Sequence, residues 1–126
     1  MNSLAHASGA YGRAQTAART PRGIEYEVIA RITRRLKSAA ASRDTDYPGF
    51  VAALTDNLRL WTTLGMDVAS NGNDLPAPLR AQLFYLFEFT DKHSRKLLAG
   101  ETVSPDILVE INVSVLRGLR GEGAVA

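Results

Sequence analysis

The chain has 126 residues, of which 45% are hydrophobic and 22% charged, and its formal net charge is +2. One domain of this length buries about two-thirds of its unfolded surface, so it needs neither a metal nor a disulfide to fold. The absence of cysteine excludes structural disulfides, thiolate catalysis and cysteine-ligated zinc. With no signal-peptide pattern and no apolar run of about 18 residues, we expect a cytoplasmic protein without membrane insertion.

The charge is unevenly distributed. Residues 1–43 hold eight Lys or Arg and two Glu, a net charge of +6, whereas residues 44–126 hold seven basic and eleven acidic residues, a net charge of −4. The basic half raises the hypothesis of nucleic-acid binding. However, Arg31, Arg34 and Arg35 lie on the polar side of one amphipathic helix and have no aromatic neighbours on which bases could stack. We therefore favour a solvated helix face over direct nucleic-acid binding.

The first helical segment runs from Ser3 to about Ala18 and is weak. Gly9 and Gly12 interrupt it, and each costs roughly 1 kcal/mol relative to alanine. We expect it to be the least stable element, with residues 1–19 able to be mobile. Its apolar side consists of Leu4, Ala7, Tyr11, Ala14 and Ala18.

The second and third segments carry clearer helical patterns. The second begins at Thr20-Pro21, an N-cap followed by proline at the first helical position, and runs to about Ser42. Its predicted inward residues are Val28, Ile29, Ile32, Leu36, Ala39 and Ala40. The third runs from about Pro48 to Ser70 and stops at the turn Asn71-Gly72-Asn73. Its predicted core stripe consists of Phe50, Ala53, Leu54, Asn57, Leu58, Trp61, Leu64 and Val68.

The fourth segment is capped near Asp74, starts at Pro76 and ends at Gly100. On an ideal helix its core stripe is Leu79, Leu83, Leu86, Phe87, Thr90, Ser94, Leu97 and Leu98.

A second line on this helix carries Tyr85, Phe89 and His93 at a spacing of four residues. These three rings need another apolar surface. Large apolar residues are mostly buried, which favours a neighbouring helix of the same domain, and the alternative is a groove that binds a partner.

The fifth segment is capped by Ser104, has Pro105 at its first position and frays into Gly118, Gly121 and Gly123, so residues 120–126 are expected to be a frayed tail. Its inward residues are Leu108, Ile111, Asn112, Val115 and Leu119. No segment alternates as a strand does, and connections of three to six residues favour antiparallel neighbours. The sequence therefore predicts an all-α fold, a small antiparallel bundle of about five helices in a single domain, 1–126.

Asn57 and Asn112 each lie in the middle of an apolar stripe. An unpaired buried amide costs on the order of 1–3 kcal/mol, so each must find partners. One reading is an interhelix hydrogen bond, to a backbone carbonyl or to the other asparagine, that fixes the helix register. The other reading is that one of them binds the backbone of a bound helix.

Catalytic patterns are absent from the sequence. His6 and His93 are the only histidines, neither belongs to an HExxH motif, and there is no glycine-rich phosphate loop or nucleophile elbow. We therefore expect a protein that binds a partner, not an enzyme, and one without cofactors or metals.

Taken together, these residues resemble the FlaF family of flagellar regulatory proteins of alphaproteobacteria. The two most specific stretches are Asn57-Leu58-Arg59-Leu60-Trp61 and Leu75-Pro76-Ala77-Pro78-Leu79-Arg80-Ala81-Gln82-Leu83. The supporting ones are Ala10-Tyr11, Pro21-Arg22, Glu25, His93-Ser94, Ile111-Asn112 and Leu116-Arg117-Gly118-Leu119. Their order and spacing extend the resemblance over nearly the whole chain.

The resemblance implies an all-helical cytoplasmic protein needed for making and exporting flagellin, a flagellin-specific chaperone or regulator that acts opposite the translational repressor FlbT. The implied partner is flagellin, through a terminal helical segment, and FlbT is a further candidate partner. The candidate contact residues are Tyr11, Leu60, Trp61, Tyr85, Phe89 and His93, with Trp61 or Leu60 at the edge of a groove. The alternative function is post-transcriptional regulation of flagellin messenger RNA, through RNA or through FlbT.

Overall fold

The structure, a computed structural model, describes residues 26–119, which form four helices: α1 (Tyr26–Ala41), α2 (Tyr47–Ala69), α3 (Ala77–Leu98) and α4 (Asp106–Leu119). The predicted all-α class is confirmed. The predicted first segment, the cap at Thr20-Pro21 and the tail 120–126 lie outside the described residues. No helix in the described part of the chain is both long enough and apolar enough to cross a membrane.

The helices alternate in direction, as two buried clusters show. One cluster joins Leu36 near the end of α1, Phe50 near the start of α2, Leu97 at the end of α3 and Leu108 near the start of α4. The second cluster joins the opposite ends of the same helices through Ile29, Leu64, Val68, Leu83 and Leu119. Each helix therefore runs antiparallel to the one before it, which is the predicted up-and-down arrangement.

Local signals set most of the helix ends. Asp46 caps α2, because its Oδ1 accepts a 3.0 Å hydrogen bond from the Gly49 backbone N–H. Ser104 Oγ accepts from the Asp106 N–H at 3.0 Å, which confirms the cap predicted for α4. Gly100 follows α3 with φ of 83°, the left-handed conformation that glycine adopts most easily.

The predicted cap of α3 is wrong. The helix begins at Ala77, and Pro76 occupies the N-cap position. No side chain caps the first turn by a hydrogen bond. Asp74 is not that cap. The polar side chain that acts just before the helix is Asn73, whose Oδ1 accepts from the Leu75 N–H at 3.0 Å and forms a local turn.

Candidate binding surface

A buried polar network crosses the middle of the bundle and joins three helices. Asn112 Nδ2 of α4 donates to Asn57 Oδ1 of α2 at 2.8 Å and to Thr33 Oγ1 of α1 at 3.1 Å. The same side chain accepts from Trp61 Nε1 at 2.9 Å through its Oδ1. The structure thus pairs the two asparagines directly, as the interhelix reading predicts. A shift of one helix would break several of these bonds together, so the network favours a single register.

Trp61 and Leu60 are core residues, and their predicted place at a groove edge is wrong. Trp61 is 1% exposed and Leu60 7%, and both belong to the cluster around Ile29 and Leu83. The reason is the partner of the indole N–H: once Asn112 accepts that bond, the whole ring can be buried without an unpaired donor. Neither side chain is available to a partner while this packing persists.

Phe89 and His93 are held by the connection between α3 and α4. Their rings stack at a centroid distance of 5.3 Å and an angle of 17°. His93 Nε2 donates to the Ser104 carbonyl oxygen at 2.7 Å, which requires the proton on that nitrogen. Phe89 also packs against both buried clusters. Both rings therefore have neighbours within the domain, which is the first of the two alternatives that the sequence left open for them.

Tyr85 differs from its two companions because 65% of its surface is exposed. It is the member of the predicted aromatic line that remains open to a partner. Tyr11, the remaining candidate contact residue, lies outside the described residues.

The second half of α2 packs closely against α3. The Phe87 ring lies directly over Gly65, so the two backbones come together at this point.

Several residues on the core-facing side of α3 are exposed or partly exposed. Leu79 is 38% exposed although it shares that side with the buried Leu83 and Leu97, so its predicted place in the core is wrong. Leu75 and Leu86 are partly exposed. The backbone of α4 packs closely on α1 and comes near that of α3 at few points. Leu75 and Leu86 pack in part against the cluster around Ile29 and Leu83. We call the surface of Leu75, Leu79 and Leu86 the open face.

Leu98, the other predicted core residue of α3 that is exposed, lies at the opposite end of the helix. It is 39% exposed and is the last residue of α3. Its exposure nearly equals that of Leu79, so the two leucines form a matched pair at opposite ends of one helix.

The charged side chains of the described residues form few clusters. No set of three His, Asp or Glu among residues 26–119 is placed to hold a metal ion. The shortest ion pair among the described residues, Arg35 with Asp56 at 2.6 Å, is solvent-accessible and joins α1 to α2. Arg31 and Arg34 are exposed and form no ion pair with another described residue.

Comparison with known proteins places the chain in a family. Neither the curated proteins nor the solved structures compared with it gave a match. The family model described as flagellar protein FlaF matches residues 7–119, a range that contains all four helices and also 19 residues before Tyr26. The chain belongs to the FlaF family of flagellar proteins.

Proposed function

We propose that this protein is a flagellin-specific chaperone and regulator that binds flagellin in the cytoplasm and supports its synthesis and export. Family membership supports the link to the flagellum. The observation that carries the binding role is the open face, where leucines of the core-facing side of α3 reach solvent. Surface of this kind is a typical site for another apolar element to pack.

The open face suits a helix as its ligand. Flagellin's terminal segments form amphipathic helices that assemble only in the filament, so before export their apolar sides need cover. Helix recognition in grooves uses anchors three, four and seven residues apart. Leu79 and Leu86 are seven residues apart on one side of α3 and form an apolar row two turns long. An amphipathic helix lying along this row would shield its own apolar side and that of α3.

Tyr85 provides a second candidate contact. It projects about 100° around α3 from Leu86, so one helix docked on the open face would meet it only at the flank. Measuring flagellin affinity after replacement of Tyr85 tests whether the bound segment wraps around α3. Phe89→Ala is a poor test of binding, because Phe89 packs against both buried clusters and its loss would weaken the fold.

Titration calorimetry with flagellin of the same organism tests the proposal. We expect binding with a negative heat-capacity change, the mark of buried apolar surface, and an affinity that responds little to salt. Loss of binding to flagellin truncated at its C-terminus, with retention by flagellin truncated at its N-terminus, would assign the bound segment. Absence of binding to every purified flagellin of the organism would refute the proposal.

The second candidate function is post-transcriptional regulation of flagellin through its messenger RNA or through FlbT. The observation that favours it is the pair Arg31 and Arg34, both exposed and without an ion pair to a described residue. Arg35 is engaged with Asp56, so the informative variant reverses only Arg31 and Arg34.

A filter-binding assay at two salt concentrations separates the two functions. Contacts with phosphates would make RNA affinity fall steeply with salt, and Arg31→Glu with Arg34→Glu would abolish it. Lys92→Glu with Lys96→Glu, two exposed positions of α3, is the charge-matched control. Under the flagellin proposal, neither the double variant nor the control changes flagellin affinity, and RNA retention stays at the background of an unrelated protein.

A further inference from the structure

We propose that the bundle binds one buried water molecule between Asn57 of α2 and Ser94 of α3. The water accepts a hydrogen bond from Asn57 Nδ2 and donates one to Ser94 Oγ. It thereby joins the fourth helix to the polar network that links the other three. The inference concerns the free protein and does not depend on the binding of flagellin.

The network itself determines which atom of Asn57 is left over. The indole N–H of Trp61 can only donate, so the Asn112 atom that it meets is the amide oxygen. Nδ2 of Asn112 therefore donates to Asn57, and the atom of Asn57 that accepts is Oδ1. Nδ2 of Asn57 is then a donor, and it is buried with no acceptor among the described residues.

The Ser94 hydroxyl is a second buried polar group without a partner among the described residues. The hydroxyls of Thr33 and Thr62 each donate to the carbonyl oxygen four residues earlier in their own helix, at 2.6 Å and 2.8 Å. Ser94 makes no such bond, so its hydroxyl is not engaged by its own helix. Buried groups of this kind normally bond to protein or to ordered water.

The contact between Gly65 and Phe87 places Asn57 and Ser94 at nearly the same level of the bundle. Asn57 lies eight residues before Gly65, and Ser94 lies seven residues after Phe87. Because α2 and α3 run in opposite directions, these steps lead the same way, over about 12 Å and about 10.5 Å. Both residues are completely buried, so both side chains lie inside the bundle at this level.

The buried cluster at one end of the bundle gives the same register. Leu54 of α2 and Leu97 of α3 both belong to it. Asn57 follows Leu54 by three residues, and Ser94 precedes Leu97 by three residues. Two separate points along the pair of helices therefore bring the amide donor and the hydroxyl to one level.

Ser94 completes a layer that has one buried polar residue from each helix. The other three members, Thr33, Asn57 and Asn112, are bonded to one another through Asn112. None of the four is charged, so the layer offers no counter-charge to an ion, and a buried unpaired ion is costly. An apolar ligand would leave the amide and the hydroxyl unpaired. Water can accept from the first and donate to the second.

The size of Ser94 also suits a water molecule. Its neighbours along the buried side of α3 include Phe87 and Leu97, and serine is much smaller than either. Thr90 carries another buried hydroxyl without a described partner, but it lies one turn away, at the level of Trp61. The indole N–H there is already bonded to Asn112, so this level offers the hydroxyl no free amide donor. Thr90 therefore provides a control.

A crystal structure of the full-length protein, at a resolution that shows ordered waters, tests the binding. We expect density for one water at about 2.7–3.2 Å from both Asn57 Nδ2 and Ser94 Oγ. A direct hydrogen bond between the two side chains, or no density between them, would overturn the proposal. This measurement uses the unmodified protein, so it decides the question even if a variant fails to fold.

Urea unfolding tests whether Ser94 holds the water. Ser94→Ala should raise the equilibrium constant for unfolding about tenfold, because the water loses a partner and the Asn57 donor is less well satisfied. Thr90→Val removes the neighbouring hydroxyl and should not raise this constant. If Ser94→Ala has no larger effect than Thr90→Val, the assignment of Ser94 to the site is overturned.

Discussion

The indole N–H of Trp61 donates a 2.9 Å hydrogen bond to Oδ1 of Asn112, which lies 51 residues further along the sequence. The bond joins the only tryptophan of the chain to a buried amide of another helix. It explains why Trp61 is a core residue: an apolar stripe alone would leave its polar atom unpaired. The bond also gives Oδ1 of Asn112 a donor, while Nδ2 of the same side chain donates to Asn57 and Thr33.

Replacing Asn112 by leucine should destabilise the protein by about 3 kcal/mol, because Trp61 Nε1 and Asn57 Oδ1 would be left buried without partners. Urea unfolding followed by tryptophan fluorescence measures the change. Ser114→Leu, at an exposed position of the same helix, is the control and should shift stability by no more than about 0.5 kcal/mol. A similar loss in both variants would contradict a special role for the network.

Gly65→Ala should destabilise the contact between α2 and α3 by roughly 1–3 kcal/mol. A methyl group at this position would lie 2.5 Å from Phe87 Cγ, so the ring and the helix behind it must move. Gly118→Ala is the matched control, since nothing lies within 4 Å of its added carbon and alanine favours the helix by about 0.5–1 kcal/mol. Thermal unfolding of both variants should move the midpoint in opposite directions.

Thr90→Val should raise stability by about 1 kcal/mol. The Thr90 hydroxyl is fully buried and has no hydrogen-bond partner among the described residues, while valine has nearly the same shape and no polar atom to desolvate. Ser94→Ala removes a second such hydroxyl from the same helix, although it also leaves a small void. A loss of stability in the valine variant, measured by urea unfolding, would show that the hydroxyl has a partner that this structure does not contain.

Asp46→Ala should cost about 1 kcal/mol, because it removes the acceptor for the Gly49 N–H at the start of α2. The comparison is Asp44→Ala, which removes the same charge two residues earlier from an exposed position and should change stability by less than about 0.5 kcal/mol. Equal effects in urea unfolding would assign the loss to charge and not to the cap.

Periodicity predicted most of the bundle because each helix buries a single stripe. Phe50, Leu54, Leu64 and Val68 of α2 lie where their spacing placed them, and the breaks at Gly100 and Ser104 also agree with the structure. The cap of α3 was mispredicted because Asp74 and Asn73 are both suitable capping residues, and only the backbone path decides which one bonds.

The exposure of individual side chains was harder to predict because it depends on which neighbours each turn of a helix meets. Leu79 has the spacing of a core residue, yet 38% of its surface is exposed. The sequence around Trp61 does not indicate that its indole N–H would bond to Asn112. His93 bonds to the Ser104 carbonyl in the connection between α3 and α4. Helical periodicity does not describe the path of a connection, so it could not predict this bond.

The most direct test of the central claim compares flagellin binding by Leu79→Asp and Leu98→Asp, two leucines of α3 that are 38% and 39% exposed. Titration calorimetry gives the affinity, and urea unfolding checks that both variants keep their stability. We expect Leu79→Asp to weaken binding at least about tenfold, because a carboxylate would be buried at the open face, and Leu98→Asp to bind as the unmodified protein does. Equal affinities for both folded variants would contradict the account.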